Sequence, residues 1–276
     1  MPYLAPTDRG DAFRFLQSHS PRIVAGCTDY FPSLGQGEID QDVLDITRLD
    51  GMRGVARMQD GWRIGAATTW TDIVRADLPP AFDALKAAAL EVGSVQIQNQ
   101  GTVAGNICNA SPAADGVPPL LVLDARVEVT SADSARVVPL SEFIAGVRQT
   151  DLRAGEMVSA ILIPDIHPDA QGSFSKLGSR THLVISIAMV AVSVRVQDGR
   201  ITEARIAVGS CSPVAQRLPG LEATLTGLAV EDIPHTDFSH MDVLTPISDV
   251  RGSAEYRVDV VAEMCKRAVL EACGKG

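Results

Sequence analysis

Apolar and polar positions change period several times along this chain, and each change predicts an element. Residues 11–17 have the spacing of a short helix, while "RIVAG" (22–26), "VLDIT" (43–47) and "WRIGAA" (62–67) are short apolar runs that predict strands, the first ending in glycine. Phe82, Leu85, Ala89 and Val92 recur at helical spacing behind Pro79 and Pro80, predicting an amphipathic helix over 81–92. "VPPLLVLDA" (117–125) fits one or two helical turns, with Pro118 tolerated near the start and Asp115 placed to accept from free N–H groups there. "RVEVT" (126–130) returns to strand.

The second half changes character near "AILIPDIHPDAQGSF", where two prolines and a glycine break the pattern and suggest a domain boundary around residues 164–172. Beyond it, Ala188, Val190, Val192, Val194 and Val196 alternate with Met189, Ala191, Ser193, Arg195 and Gln197, which is the period of a strand. Asp198-Gly199 is a two-residue turn signal with another strand, "ITEARIAVG", behind it, so a hairpin is predicted. The last helix places Val258, Val261, Cys265, Ala268 and Ala272 on one face.

One stretch breaks every period. "QIQNQGTVAGNICNASPAAD" (96–115) holds no Lys, Arg, His or Glu and reads as neither helix nor strand. Gly101 and Gly105 flank Thr102, with Asn106, Asn109 and Ser111 following, so backbone N–H groups and short polar side chains crowd a segment with little steric cover. Such a segment can wrap phosphate and ribose groups, or can be an ordinary polar surface loop. A second glycine-bearing loop, "AGCTDY" (25–30), follows the first strong strand, and two such loops could clasp the ends of one extended dinucleotide. Neither is a GxGxxG between strand and helix, and neither carries the GK[ST] of a phosphate-binding P-loop, so the ligand would be held by another architecture.

Composition narrows the field. Hydrophobic residues make up 46% of the 276 and aromatics 4%, so the core must be built from Ala, Val, Leu and Ile. The 24 Lys plus Arg against 34 Asp plus Glu give a formal charge of −10 with no basic stripe, which argues against a nucleic-acid partner. Cys27, Cys108, Cys211, Cys265 and Cys273 are scattered and never spaced as CxxC, arguing against disulfides, zinc or an iron–sulfur cluster in this chain. His19, His167, His182, His235 and His240 show no metal-ligand spacing, and no Ser/His/Asp or paired-carboxylate constellation stands out, so no catalytic residue is assigned. "MPYLAPTDRGDAF" lacks the basic start and apolar run of a signal peptide, and no stretch approaches the ~18 apolar residues that cross a bilayer, so a cytoplasmic protein is expected. Trp62 and Trp70 read as packing residues rather than ring stackers.

On these residues the chain resembles the FAD-binding (medium) subunit of the molybdenum hydroxylases, the family of xanthine dehydrogenase and aerobic carbon monoxide dehydrogenase. "AGCTDY" is similar to the first flavin loop, "TVAGNICNASPAADGVPPLLVLDA" to the second, and "DVRGSAEYR" (249–257) to a C-terminal signature. The second loop is the most specific, ordered as TxxGNxxxxSPxxDxxPxLLxLDA.

The resemblance implies an α+β fold: a vanillyl-alcohol-oxidase-type (PCMH-like) FAD-binding domain over 1–168, with α/β subdomains at about 1–55 and 56–168, and a C-terminal antiparallel-sheet-and-helix domain over 169–276. It implies that Ala25, Gly26, Thr28 and Asp29, together with Cys27 between them, line the pyrophosphate along with Thr102, Gly105 and Asn106. Ser111 and Asp115 would meet ribityl or ribose hydroxyls, while for Asp115 the helix-capping role stands beside this. Lys176 and Arg180 match positions near the flavin, or are solvated surface charges. Arg251, Tyr256 and Arg257 could reach the cofactor, although the head of a helix favours capping and domain packing.

The implied activity is electron transfer as an oxidoreductase subunit. Electrons would pass from an iron–sulfur partner through FAD to NAD, a quinone or oxygen, with the molybdenum cofactor on a further subunit. A self-contained FAD oxidase and a non-catalytic assembly subunit without tight FAD binding are the alternatives. Three departures from the family pattern matter. Cys27 stands where a second glycine is usual, "THLVISIAMV" (181–190) lacks an aspartate before "IA", and Cys108 lies inside the second loop, where a small packing residue is the simpler reading.

Overall fold

The computed structural model describes residues 2–180 and 184–274. The chain opens with β1 (Tyr3–Leu4), α1 (Arg9–His19), β2 (Arg22–Val24), α2 (Tyr30–Leu34) and β3 (Val43–Asp45), and the three strands form a parallel sheet in the order β1-β3-β2. Asp8 caps α1 by accepting from the Asp11 N–H, and Ala12, Phe15 and Leu16 turn its apolar stripe onto buried Leu44 and its neighbours.

Next come β4 (Val55–Met58), β5 (Gly61–Gly65), α3 (Trp70–Arg75), a 3-10 turn at Pro80–Phe82, α4 (Asp83–Glu91), α5 (Val95–Gln100), α6 (Val103–Asn109) and α7 (Val117–Val122). Then follow β6 (Arg126–Thr130), β7 (Ala135–Pro139), α8 (Leu140–Phe143), β8 (Ile144–Gly146), β9 (Gln149–Thr150) and β10 (Met157–Pro164). Five of these strands make an antiparallel sheet, β4-β5-β10-β6-β7, with apolar β10 at its centre. Trp62 packs edge-on against Phe82, 5.7 Å between centroids, which is a packing role.

The last unit holds β11 (Ala170–Leu177), β12 (Ala188–Gln197), β13 (Arg200–Gly209), β14 (Gln216–Arg217), α9 (Pro219–Leu225), a 3-10 turn at Val230–His235 and α10 (Ala254–Ala272). Its four strands form an antiparallel sheet in sequence order. The Asp198-Gly199 turn closes the β12–β13 hairpin with φ of 51° and 73°, as a two-residue hairpin turn requires.

The alternation along β12 is real, but both of its faces are covered. Ala188, Val190, Val192 and Val194 join the core beneath α9 and α10, whereas Ala191 joins the core of the N-terminal half, which includes α4 and α7. Gly172 permits this close seat: a Cβ there would stand 2.6 Å from the Ala81 carbonyl oxygen and 2.9 Å from the Ala84 nitrogen. The face of α10 read from the sequence is the buried one, with Val261, Cys265, Ala268 and Ala272 inside and Val258 partly so.

Two expectations need correction. Most of 96–109 does form helix, because Ser94 accepts from the Ile97 N–H to start α5 and Thr102 accepts from the Gly105 N–H at 3.0 Å to start α6, while 110–115 remain loop. Val103, Ala104 and Ile107 then bury one side of α6, a helical spacing that its polar neighbours mask. Asp115 does not cap α7, since Gly116 takes the N-cap position with no side-chain bond.

Candidate functional site

The two glycine-bearing loops touch although Gly26 and Gln100 are 74 positions apart in sequence. A Cβ on Gly26 would stand 1.9 Å from the Gln100 carbonyl oxygen and 2.9 Å from the Gly101 Cα, so only a bare backbone fits. From the other side, a Cβ on Gly101 would lie 3.3 Å from the Thr28 hydroxyl.

Trp70, buried at the N-terminus of α3, wedges the second loop from behind. Its N–H donates to the Gly101 carbonyl at 3.1 Å, and a Cβ on Gly116 would stand 2.4 Å from its ring. The Asn106 side-chain oxygen accepts from the Gly116 N–H at 3.2 Å and ties the end of the loop to its start. Thr102 spends its hydroxyl on the α6 cap.

Ala25, Gly26, Cys27 and Thr28 are half-buried and Asp29 is exposed, at the turn from β2 into α2. Cys27 has φ 59°, the left-handed region, and its thiol donates to the Ala25 carbonyl at 3.3 Å. Burial, and then the charge of Asp45, push that thiol up. On α6, Gly105 and Cys108 face solvent. The Cys108 thiol is pushed up to about 12 by desolvation from the protein around it.

The end of the second loop borders a cleft of about 840 Å³ between the two halves of the chain. Pro112, Val147, Ile185, Ile247 and Val250 give it apolar walls, and Ser111, Arg180 and Ser210 are among its polar lining. A smaller depression of about 460 Å³ lies beside Arg53, whose guanidinium is already paired with Asp72, and none of the glycine-loop residues lines it.

Asp115 and Lys176 are brought together, but with each other. Lys176 Nζ sits 2.8 Å from Asp115 Oδ2 and donates also to the Glu91 carbonyl, while the Ser186 hydroxyl donates to Asp115 Oδ1 at 2.8 Å. Burial pushes the Asp115 carboxyl up, against the opposing pull of Lys176 and Ser186. Lys176 is therefore a buried interdomain cation, not a solvated surface charge.

The "DVRGSAEYR" signature acts in packing. Fully buried Arg257 donates to the Ile187 carbonyl, to the Ser210 carbonyl at 3.1 Å and to Asp249 at 2.8 Å, while Arg251 binds Asp249 and the Ser186 carbonyl. Hydrogen bonds from Arg251, outweighing burial, hold the Asp249 carboxyl well below the usual carboxylate range. Tyr256 is exposed.

Ser186 and Ser210 were not singled out from the sequence, and neither stands in a pattern that would mark it. Of the segment 181–190, Thr181, His182 and Leu183 lie outside the described residues. Among the described residues, no three His, Cys, Asp or Glu side chains are grouped to hold a metal ion. No described helix is long and apolar enough to cross a membrane.

These features fit FAD. The backbone junction at Gly26 and Gly101 presents no bulky or charged side chain, and glycine there lets a diphosphate bridge approach the backbone closely. The apolar cleft reached through Ser111 and Pro112 has the size and character of a site for a flat ring.

Comparison with known proteins agrees. Residues 1–166 match the family described as FAD binding domain in molybdopterin dehydrogenase, and residues 173–272 match the CO dehydrogenase flavoprotein C-terminal domain. The chain is 30% identical over 269 residues to the xanthine dehydrogenase FAD-binding subunit of Escherichia coli O157:H7, covering 95% of this chain and 92% of that one. It is 29% identical over 275 residues to the nicotine 6-hydroxylase medium subunit of Paenarthrobacter nicotinovorans, covering 98% and 96%. The structure of reconstituted CO dehydrogenase from Oligotropha carboxidovorans superposes with a TM-score of 0.91 at 25% identity, covering 100% of this chain and 98% of that one.

Proposed function

The chain belongs to the FAD-binding subunits of the molybdenum hydroxylases, and from that premise we propose that it links an iron–sulfur partner subunit to a soluble or membrane-borne electron acceptor. When bound, FAD supplies the electron-carrying chemistry between the clusters of that partner and NAD, a quinone or oxygen. The molybdenum cofactor and the hydroxylated substrate belong to a third subunit, and the complex works in the cytoplasm.

The roles of this chain's own residues are binding, orientation and exclusion of water. Residues 1–168 form the FAD-binding domain and 169–276 the C-terminal domain that closes the cleft. Ala25 to Asp29 and Thr102 to Asn106 would line the diphosphate, although the Val103, Gly105 and Asn106 N–H groups are already given to Thr68 and Thr102. Thr102 shapes that surface through its cap rather than through a ligand bond. Ser111 and Arg180 both line the cleft, where Ser111 would meet the ribityl chain and Arg180 would stand near the ring. Asp115 and Lys176 fix the two domains across this path.

The contact between Gly26 and the Gln100–Gly101 backbone carries this reading, because it joins two distant uncharged turns into one surface. Titration of the purified apoprotein with FAD tests it. A flavin absorption spectrum that survives gel filtration at one FAD per chain is expected, and an apoprotein that cannot be reconstituted overturns the role. Co-purification tests the partners: the proposal requires an iron–sulfur subunit and a molybdenum subunit to accompany the chain from its native host.

A further inference from the structure

Ser210, which follows β13 in the wall of the interdomain cleft, is destabilised twice. Its φ of 64° lies in the left-handed region, where a side chain crowds the backbone. Its hydroxyl is shut off from solvent without a hydrogen-bond partner, in a residue only 8% exposed. Buried hydroxyls are nearly always satisfied, so an orphan needs a reason. Glycine would remove both costs.

The rest of the residue is fixed. Its N–H donates to the Pro112 carbonyl at 2.9 Å, and its carbonyl accepts from buried Arg257 at 3.1 Å. Ser210 thus joins the end of the second glycine loop to the C-terminal signature.

Several neighbouring polar groups are engaged within the protein. The Ser111 hydroxyl accepts from the Ala113 N–H, the Ser212 hydroxyl donates to the Cys211 carbonyl and accepts from the Thr245 N–H, and Arg251 is spent on Asp249 and Ser186. The remaining walls are largely apolar. Such a site suits a flat aromatic heterocycle with a few acceptors along one edge, for which an unpartnered hydroxyl is a ready donor.

We propose that Ser210 is a flavin-ring ligand supplied by the C-terminal domain, its hydroxyl turning into the cleft to donate to the polar edge of the isoalloxazine. The turn is a rotation about χ1 between staggered positions and breaks no hydrogen bond, since the hydroxyl makes none. Ring occupancy is then sensed by a residue whose backbone bridges both domains. The inference rests on FAD binding as proposed above.

Ser210→Ala and Ser210→Gly, with FAD and ADP titrated separately into apoprotein, test it. ADP carries the adenine and diphosphate without the ring. Both variants should bind FAD about three- to tenfold more weakly, the worth of one hydrogen bond, with ADP affinity unchanged and the flavin absorption maximum displaced. Ser210→Gly should also raise the melting temperature of the apoprotein while weakening FAD. That opposition of signs is not expected of a purely structural residue. Unchanged FAD affinity in both variants, or an equal loss for FAD and ADP, overturns the assignment while leaving FAD binding intact. A wild-type chain that binds neither ligand overturns the FAD reading and this inference with it.

Discussion

At the scale of single residues, Cys27 shows how a loop can be altered without being lost. Its φ of 59° is one that glycine adopts freely and a side chain resists, by about 1–2 kcal/mol. Glycine returns part of that through the extra freedom of the unfolded chain. Cys27→Gly is therefore expected to stabilise the apoprotein by about 0.5–1 kcal/mol net, seen as a melting temperature about 1–3 °C higher. FAD affinity should rise in the same variant if the sulfur crowds the diphosphate. A lower melting temperature would show that the thiol's contact with the Ala25 carbonyl outweighs the strain. Lys176 is the opposite case, a side chain whose loss exposes a debt elsewhere. Replacing it with Met leaves Asp115 buried beside Ser186 without its counter-ion, and breaking such a pair costs about 3–5 kcal/mol. The double variant Lys176→Met/Asp115→Asn should recover much of that in urea unfolding, and equal losses in the single and double variants would refute the pairing. Gly26 could be read from the sequence because a glycine-bearing loop after a strand is a local signal. The Asp115–Lys176 bond could not, since its partners lie 61 residues apart and nothing local in either segment names the other.

At the scale of elements, the legible pieces were those whose pattern is self-contained. The β12–β13 hairpin announced itself through alternation and an Asp-Gly turn, and α10 through its apolar face. Helices α5 and α6 were not legible, because six or seven residues carry too few turns for periodicity and their polar surface resembles a loop. What holds them is capping and tertiary contact: Ser94, Thr102, and buried Gln98 donating to the Leu90 carbonyl. Thr102→Ala should cost about 1 kcal/mol through the lost cap. Because the same cap shapes the turn that meets Gly26, FAD affinity should fall with stability. Isothermal titration beside thermal melting would separate the two, and an unchanged FAD affinity would mean that the cap does not organise the site. The covered odd face of β12 was hidden for a related reason. Small residues such as Ala191 and Ser193 look neutral in sequence, yet they leave room for the N-terminal half to sit against the sheet, as Gly172 does on β11.

At the scale of the whole molecule, the cleft lies between two halves, and Asp249 braces its C-terminal wall from within the C-terminal half. Its carboxylate receives Arg251 and Arg257, and those arginines in turn hold the carbonyls of Ser186, Ile187 and Ser210, the last of which lines the cleft proposed for FAD. The folded-state pKa of Asp249 is depressed below the unfolded value of about 3.9. The folded protein therefore binds fewer protons there than the unfolded chain. The stability this supplies is fully present above that unfolded value and is lost as pH falls through the folded one. Asp249→Asn should accordingly be less stable than the parent at neutral pH, with the gap in melting temperature narrowing as the solution is acidified below about pH 4. A gap that stays constant through the acid limb would assign the loss to packing rather than to the carboxylate's charge. Because the same arginines steady the wall that carries Ser210, the variant should also release FAD more readily at neutral pH, where the parent still holds it. Normal FAD retention with reduced stability would show that the C-terminal wall is not part of the flavin site. The neutral-pH measurement thus separates a domain that merely packs against the FAD-binding half from one that completes the binding site.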